Sequence, residues 1–459
     1  MELNVEYIFI LCILYINDIG DDLMNNHMDI PWHEYTNKDS KVKIENASLT
    51  EKSSVIGRIG LMLLACGTGA WRVRSSMNTI ASELNITCIA DIGLTNISYT
   101  CIDGIESHAQ SLSLHNTSVN TSKLARMEDF VYHFKDECKT CTCNEIHNQL
   151  DQIESIHSSY SPIILGLAAA LACSCFTFLL GGGPIEMLCA FVGAGLGNTL
   201  RMKLIKHNYT LFLNVAASVS LACLAYALLF NFLETCFGIA TQHEAGYICS
   251  MLFIIPGFPF ITSGIDLAKL DLRSGLERLA YAIIIILAAT LTAWICALVL
   301  HLQPVDFVKL HISTSTKLLL RLLTSFGGVF GFSIMFNSSK KIAASAGYIG
   351  AIANTLRLTL VDLSLPAAAA AFIGALTAGL LASMIKGNTG YPRIAVTVPS
   401  IVIMVPGLYM YRAIYNLELT STMSIGANWL IQSLLIVLAL PMGLIFARIL
   451  TDPSFRYCT

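Results

Sequence analysis

The chain has 459 residues, of which 54% are hydrophobic and only 13% charged; its mean hydropathy is +0.64 and its formal charge −3. Such a balance excludes an ordinary soluble protein, and no nucleic-acid partner is expected. Almost all of the apolar excess lies after Ser161, so the composition is that of a membrane protein with a more polar N-terminal third, and the lipid bilayer is its first expected partner.

The opening run Val5 to Ile16 is apolar, but no Lys or Arg precedes it, the first basic residue being Lys38. About a dozen residues do not span a bilayer, so residues 1–48 are expected to be a loosely structured start rather than a signal or anchor. Residues 49–160 are polar enough for a soluble α+β domain. Thr50 before Glu51 reads as a helix cap, and apolar residues recur at Ile56, Ile59 and Leu63, then at Val73, Met77, Ile80 and Leu84, the spacing of a helix face. Short β-rich pieces follow at 86–92, 96–102 and 110–114, separated by Gly93 and Asp103-Gly104, and a second helical stretch runs from Ser122 to Ile156. Cys138-x-x-Cys141-x-Cys143, with His133 and His147 near, has metal-like spacing. A structural zinc site needs a further ligand and usually a second tight pair, so free thiols on a solvated helix are expected, with no metal and no cofactor.

Beyond Ser161 come apolar blocks near 162–180, 186–201, 211–233, 247–266 and 279–301, then near 318–337, 342–358, 366–386, 394–415 and 427–449. That makes about ten candidate spans of roughly 20 residues. Gly197-Asn198-Thr199-Leu200-Arg201 is echoed by Ala353-Asn354-Thr355-Leu356-Arg357, 156 residues later, and Phe176 and Phe332 keep that spacing. Pro256-Gly257 and Pro406-Gly407 lie in matching apolar segments 150 residues apart. Five helices per copy is an odd number, so consecutive copies enter the membrane from opposite sides. The expected fold is therefore an all-α polytopic membrane protein of two inverted five-helix repeats, 161–305 and 306–459, carrying the small N-terminal α+β domain. Loops and ends on the side of that domain hold twelve Lys and Arg against five opposite, which places both termini in the cytoplasm and leaves most of the fifteen cysteines reduced.

Three stretches, LMLLACGTGAWRVRSSMNTIASELNI, IIPGFPFITSGIDL followed by SGLERLAYA, and VPSIVIMVPGLYMYRAIYNL, together resemble the threonine/serine exporter family from about residue 50 to the C-terminus. The resemblance implies a proton-driven efflux carrier for small hydroxy amino acids in the plasma (inner) membrane, with protons as coupling ion. Related split systems resemble dicarboxylate exporters, which keeps a succinate-type substrate open. A channel or a membrane sensor is the other reading. No enzyme is expected: His243-Glu244 does not continue into a zinc-protease helix, and no Gly-x-Ser-x-Gly elbow or phosphate loop occurs.

A proline in a membrane helix removes an N–H and crowds the preceding turn, and such breaks survive in lipid only where protein or water satisfies the freed backbone. Two of them in matching halves mark the expected binding site, so Pro256, Gly257, Pro406 and Gly407 are expected near the midplane, facing one another across a cavity. Broken helices offer N–H groups to a carboxylate and carbonyls to an ammonium, and Thr262, Ser263 and Asn416 are placed to meet a substrate hydroxyl. Asn354 and Arg357 are further substrate candidates on the less basic side, while Arg201 suits a snorkelling role. Asp266, which falls opposite Asn416 in the 150-residue offset, is the first proton-coupling candidate, against the plainer reading of a cytoplasmic carboxylate pairing with Lys269. Glu186 and Asp362 are the alternatives. A homo-oligomer is compatible with all of this.

Overall fold

The structure, a computed structural model, describes residues 30–36, 41–115, 117–156, 159–238, 246–302, 307, 312–389, 392–418 and 422–456. The run Val5 to Ile16 and the His243-Glu244 pair lie outside the described residues.

The N-terminal unit begins at a capping box one turn-edge earlier than Thr50. Ser48 accepts the Glu51 N–H, and the Glu51 carboxylate accepts the Ser48 N–H at 3.1 Å. Helix α1, Leu49–Ala65, does not continue to Leu84 as its periodicity suggests. Gly67, at φ +81°, turns the chain out, and α2, Ala70–Glu83, starts afresh after Gly69. The apolar spacing carries across the turn because both helices face one core. Strands β1 (Thr87–Ile92), β2 (Asn96–Asp103) and β3 (Glu106–Ser113) form an antiparallel sheet. β3 starts earlier than expected because its polar, largely exposed residues hide the alternation. The second helical stretch is divided into α3, Thr121–His133, a wide turn Phe134–Cys138, and α4, Cys143–Glu154.

Trp32 and Ile44 are buried in the same core as these elements, so the folded unit reaches upstream of residue 49. The buried Arg58 guanidinium explains how. It lies 5.8 Å from the Trp32 ring, donates to the His147 carbonyl at 3.0 Å and to Glu154 at 2.7 Å, and pairs with Asp151. Arg58 also donates to His147 Nδ1 at 3.3 Å, which leaves the ring proton on Nε2, facing Ser54 Oγ at 3.1 Å. Burial first, then the charges of Arg58 and His33, hold the His147 imidazole down to about 3.

The remainder is a helical bundle. Helices α5 (Pro162–Leu179), α7 (Leu211–Phe237), α10 (Leu272–Val299), α11 (Thr314–Met335), α13 (Ala367–Thr389) and α16 (Met423–Thr451) are long and apolar enough to cross a bilayer. Two further spans are bent pairs. The short α8, Tyr247–Ser250, with its turn Leu252–Ile254, meets α9, Gly257–Ala268, at 52°, and α14, Arg393–Val402, meets α15, Gly407–Glu418, at 48°. These six spans, or eight with each bent pair counted as one, define a polytopic membrane protein. The two left out are α6, Pro184–Lys206, and α12, Lys340–Asp362. Each has 23 residues, roughly 35 Å of helix, but carries charges at its ends and small residues along its length. Their glycines and alanines (Gly193, Gly197, Gly350, Ala353) are buried, which lets neighbouring helices approach closely. Phe176 of α5 and Phe332 of α11 meet edge to face at 6.4 Å, joining the two sequence copies at an equivalent position.

Candidate functional site

The two Pro-Gly breaks share one backbone hydrogen-bond pattern. In the first, Ile255 N–H donates to Leu252 O at 3.2 Å, Gly257 N–H to Ile255 O at 2.8 Å and Phe260 N–H to Pro256 O at 3.1 Å. In the second, Val405 donates to Val402 at 3.0 Å, Gly407 to Val405 at 2.9 Å and Met410 to Pro406 at 3.0 Å. Every bond in the first set has its counterpart 150 residues on. Each proline stands just before the next helix, where its missing N–H costs nothing.

The breaks also touch. A Cβ on Gly257 would lie 3.0 Å from Val402 Cγ1, and one on Gly407 would lie 1.8 Å from Ile255 Cδ1. A side chain at either place would press on the other break's side chains, more tightly at 407 than at 257. Tyr247 and Tyr411 add a hydroxyl–hydroxyl bond of 2.6 Å between the same two bent spans. The void beside the contact, bounded by Ile254, Ile286, Thr290 and Gly407, measures about 10 Å³, room for little more than a water. The cavity expected between the breaks is therefore closed here: apolar side chains from each span fill the notch that the other's glycine leaves.

Polar groups gather around the second break. Arg357 of α12 donates from Nη1 to the Met404 carbonyl at 3.0 Å, and Asn354 donates to Ser325 Oγ at 2.9 Å. Asn354 Oδ1, Thr355 Oγ1 and Arg357 Nε are buried and have no hydrogen-bond partner among the described residues. The sequence twin of Asn354, Asn198, donates to the Leu165 carbonyl at 2.8 Å and also leaves its Oδ1 without a partner. Of the other substrate candidates, Thr262 donates within its own helix to Phe258 at 3.0 Å, and Ser263 donates to Gly275 O at 2.7 Å. Asn416, half-buried, donates to Arg412 O at 2.8 Å.

The three carboxylate candidates sit in three different settings. Asp266 is fully buried; its Oδ2 accepts the Ala70 N–H at 3.2 Å and Ser274 Oγ at 2.9 Å, and lies 3.2 Å from Arg278 Nε. Lys269 is not its partner. That ammonium donates to the Phe455 carbonyl at 2.8 Å and lies over the Phe455 and Trp71 rings. Glu186, also fully buried, accepts the Gly183 N–H at 2.9 Å and so caps α6. Asp362 is exposed at the end of α12, held by Arg321 at 2.5 Å and Lys317 at 3.1 Å. The residues that sequence reasoning passed over are Arg278, counted only among loop charges, and the Gly67–Ala70 turn, whose one signal was the unexplained CGTGAW run.

The thiols of Cys138, Cys141 and Cys143 point to three separate acceptors, Gln149 Oε1, Glu137 O and Glu51 O. Burial raises Cys138 to about 11 and Cys143 to about 12, so both are protonated at neutral pH. Among the described residues no group of His, Cys, Asp and Glu is gathered for a metal.

A helical bundle with two bent spans meeting break to break is a multi-pass membrane protein, and comparison with known proteins supplies its kind. The chain belongs to the threonine/serine exporter family: residues 54–300 match the family described as "Putative threonine/serine exporter", and residues 321–450 match "Threonine/Serine exporter, ThrE". It is 22% identical over 418 residues to a "Probable threonine/serine exporter" of Mycobacterium tuberculosis, covering 87% of this chain and 76% of that one. A second relative, an "Uncharacterized protein" of Haemophilus influenzae, is 26% identical over 168 residues, 33% of this chain and 56% of that one. No solved structure matches. The family is one of exporters, not of enzymes.

Proposed function

We propose that this protein exports small hydroxy amino acids of the threonine/serine type from the cytoplasm, coupled to protons and by alternating access, with both termini cytoplasmic in the plasma membrane. The observation that carries this reading is the contact between two breaks that share one backbone hydrogen-bond pattern, 150 residues apart. A pair of broken helices joined at their breaks can part to admit a small zwitterion, its carboxylate received by N–H groups and a guanidinium, its ammonium by carbonyls. Arg357, Asn354 and Thr355 supply that chemistry beside the second break, and a substrate carboxylate would take Arg357 from the Met404 carbonyl. Pro256, Gly257, Pro406 and Gly407 shape the site; Thr262, Ser263 and Asn416 are secondary hydroxyl contacts.

The proposed architecture is a unit at 49–160, with Trp32 and Ile44 added to its core, followed by two inverted five-helix repeats, 161–305 and 306–459, which counts α6 and α12 as spans. Its support is directional. Helix α9 ends against the N-terminal unit, at Asp266 and Ala70, whereas α14 begins against the same unit, where Ile394 joins its core. The two bent spans thus run oppositely relative to one landmark. Asp266 is the leading proton carrier, because it is buried in a bent span and its ionisation is balanced by a single guanidinium; Glu186 and then Asp362 follow.

Counterflow in proteoliposomes with threonine, serine and succinate, with and without a pH gradient, tests the proposal. Saturable exchange of the hydroxy amino acids that responds to the gradient is expected. Exchange of succinate alone moves the substrate to the dicarboxylates, and absence of any exchange defeats the carrier reading.

A further inference from the structure

The N-terminal unit and the first bent span are tied by a set of hydrogen bonds centred on Asp266 and Arg278. The turn at Gly67–Gly69 enters between α9 and α10. Arg278 donates to the Gly67 carbonyl at 3.2 Å and the Thr68 carbonyl at 2.7 Å, while its Nε donates to Ser274 Oγ at 3.2 Å and faces Asp266. Asp266 in turn accepts the Ala70 N–H, so a carboxylate of the membrane bundle sits at the N-terminus of α2, where the orphan N–H groups favour an anion. The fit leaves no slack: a Cβ on Gly69 would lie 2.5 Å from Asp266 Oδ1.

Other contacts of the unit fall on neighbouring ends. Thr121 N–H donates to Phe336 O at 3.1 Å, its hydroxyl lies 2.6 Å from Ser338 Oγ, and Ser122 donates to Asn337 O at 2.7 Å. On the other flank Leu94 N–H donates to Glu277 at 2.6 Å, and Arg74 pairs with Asp271 at 2.5 Å. One folded unit therefore grips the α9–α10 turn and the α11–α12 turn, one from each half of the bundle.

We infer that Asp266 and Arg278 are positioning residues of a latch, by which docking of the Gly67–Ala70 turn holds α9 in place and closes this end of the transport path. The inference rests on the exporter reading. Its physical basis is that the turn supplies three of the pair's partners, the Gly67 and Thr68 carbonyls and the Ala70 N–H, which water would otherwise have to replace, while Asp266 Oδ1 stays buried without a partner among the described residues even when docked. Desolvating an ion pair costs about as much as the pair recovers, so docked and hydrated arrangements of these charges are close in free energy. A gate needs such near balance, and its bistable element is the turn together with α9.

The test measures hydrogen exchange and threonine or serine counterflow on the same full-length protein in proteoliposomes, for Gly69→Ala, Arg278→Lys and a control, Lys206→Gln, at the exposed end of α6. Loss of a charge-assisted bond should raise exchange roughly tenfold at residues 66–71 and, in step, at 257–268, while β1–β3 stay protected as proof of folding. Counterflow should change by a similar factor, and the Lys206→Gln control should change neither readout. Should Gly69→Ala unfold β1–β3, Arg278→Lys and a Thr121→Ala, Ser122→Ala double variant read the same dock without it. Loosening of 66–71 with 257–268 still protected overturns the latch, as does loosening of both with counterflow unchanged. If even the parent chain moves no amino acid, the exporter reading and the gating role fail together, while the exchange data still decide whether the turn holds α9.

Discussion

Arg357 donates to the main-chain carbonyl of Met404 at 3.0 Å, so a side chain of α12 fills a backbone acceptor in the second break. Its Nε remains buried without a partner among the described residues, which is costly unless another acceptor arrives. Substitution Arg357→Lys keeps the charge but loses the planar fork, and Arg357→Gln loses both. Counterflow at low substrate should fall on the order of tenfold for Lys and about a hundredfold for Gln, taking about 1.5–3 kcal/mol per charge-assisted bond. Equal activity of all three would remove Arg357 from the site.

The two glycines of the breaks are not equivalent in space. An added Cβ at 407 meets Ile255 Cδ1 at 1.8 Å, whereas one at 257 meets Val402 Cγ1 at 3.0 Å. Gly407→Ala should therefore destabilise by about 1–3 kcal/mol and Gly257→Ala by less, following the cost of overpacking. Thermal unfolding of the detergent-solubilised variants gives the ranking; a larger loss for Gly257→Ala would contradict the packing described.

Substitution Asp266→Asn preserves an acceptor for Ala70 and Ser274 but removes the charge opposite Arg278. Efflux should lose its response to the pH gradient in a protein that remains folded. A coupling ratio that does not change excludes Asp266 as the proton carrier, and the same measurement on Glu186→Gln then becomes decisive.

Orientation is open to thiol chemistry. Cys236 is exposed at the end of α7, and Cys141 is half-buried in the N-terminal unit. With Cys141→Ser, an impermeant maleimide should label Cys236 on intact cells; with Cys236→Ser, Cys141 should label only after permeabilisation. The reverse pattern would turn the protein over in the membrane.

His147 makes the N-terminal unit acid-sensitive. Its folded value of about 3 lies below the unfolded value of roughly 6.5, so between those limits the unfolded chain binds more protons and stability falls as pH falls. The slope approaches about 1.4 kcal/mol per pH unit in that window. Replacement His147→Gln should flatten it, read as exchange protection of β1–β3 from pH 7 down to pH 4. Identical pH profiles for both proteins would contradict the buried neutral imidazole.

Periodicity alone could not find the break between α1 and α2, because Val73, Met77 and Ile80 continue the apolar face of Ile56 and Ile59 across a turn. It also missed Trp32 and Ile44, whose burial depends on Arg58 and on helices more than a hundred residues downstream. The α6 and α12 blocks were legible as repeats through Asn198 and Asn354, yet their charged ends leave them less apolar than the six long spans.

What the sequence determined by itself is what local chemistry determines: a polytopic membrane chain, two Pro-Gly breaks 150 residues apart, and membership marks of an exporter family. A proline fixes its backbone wherever it stands, so the bends follow from residue type. What only the tertiary structure decided is which groups face those bends. Asp266 meets Ala70 and Arg278 rather than Lys269, and Gly407 meets Ile255 rather than a cavity, because burial obliges each charge and each notch to find a partner that chain distance does not reveal.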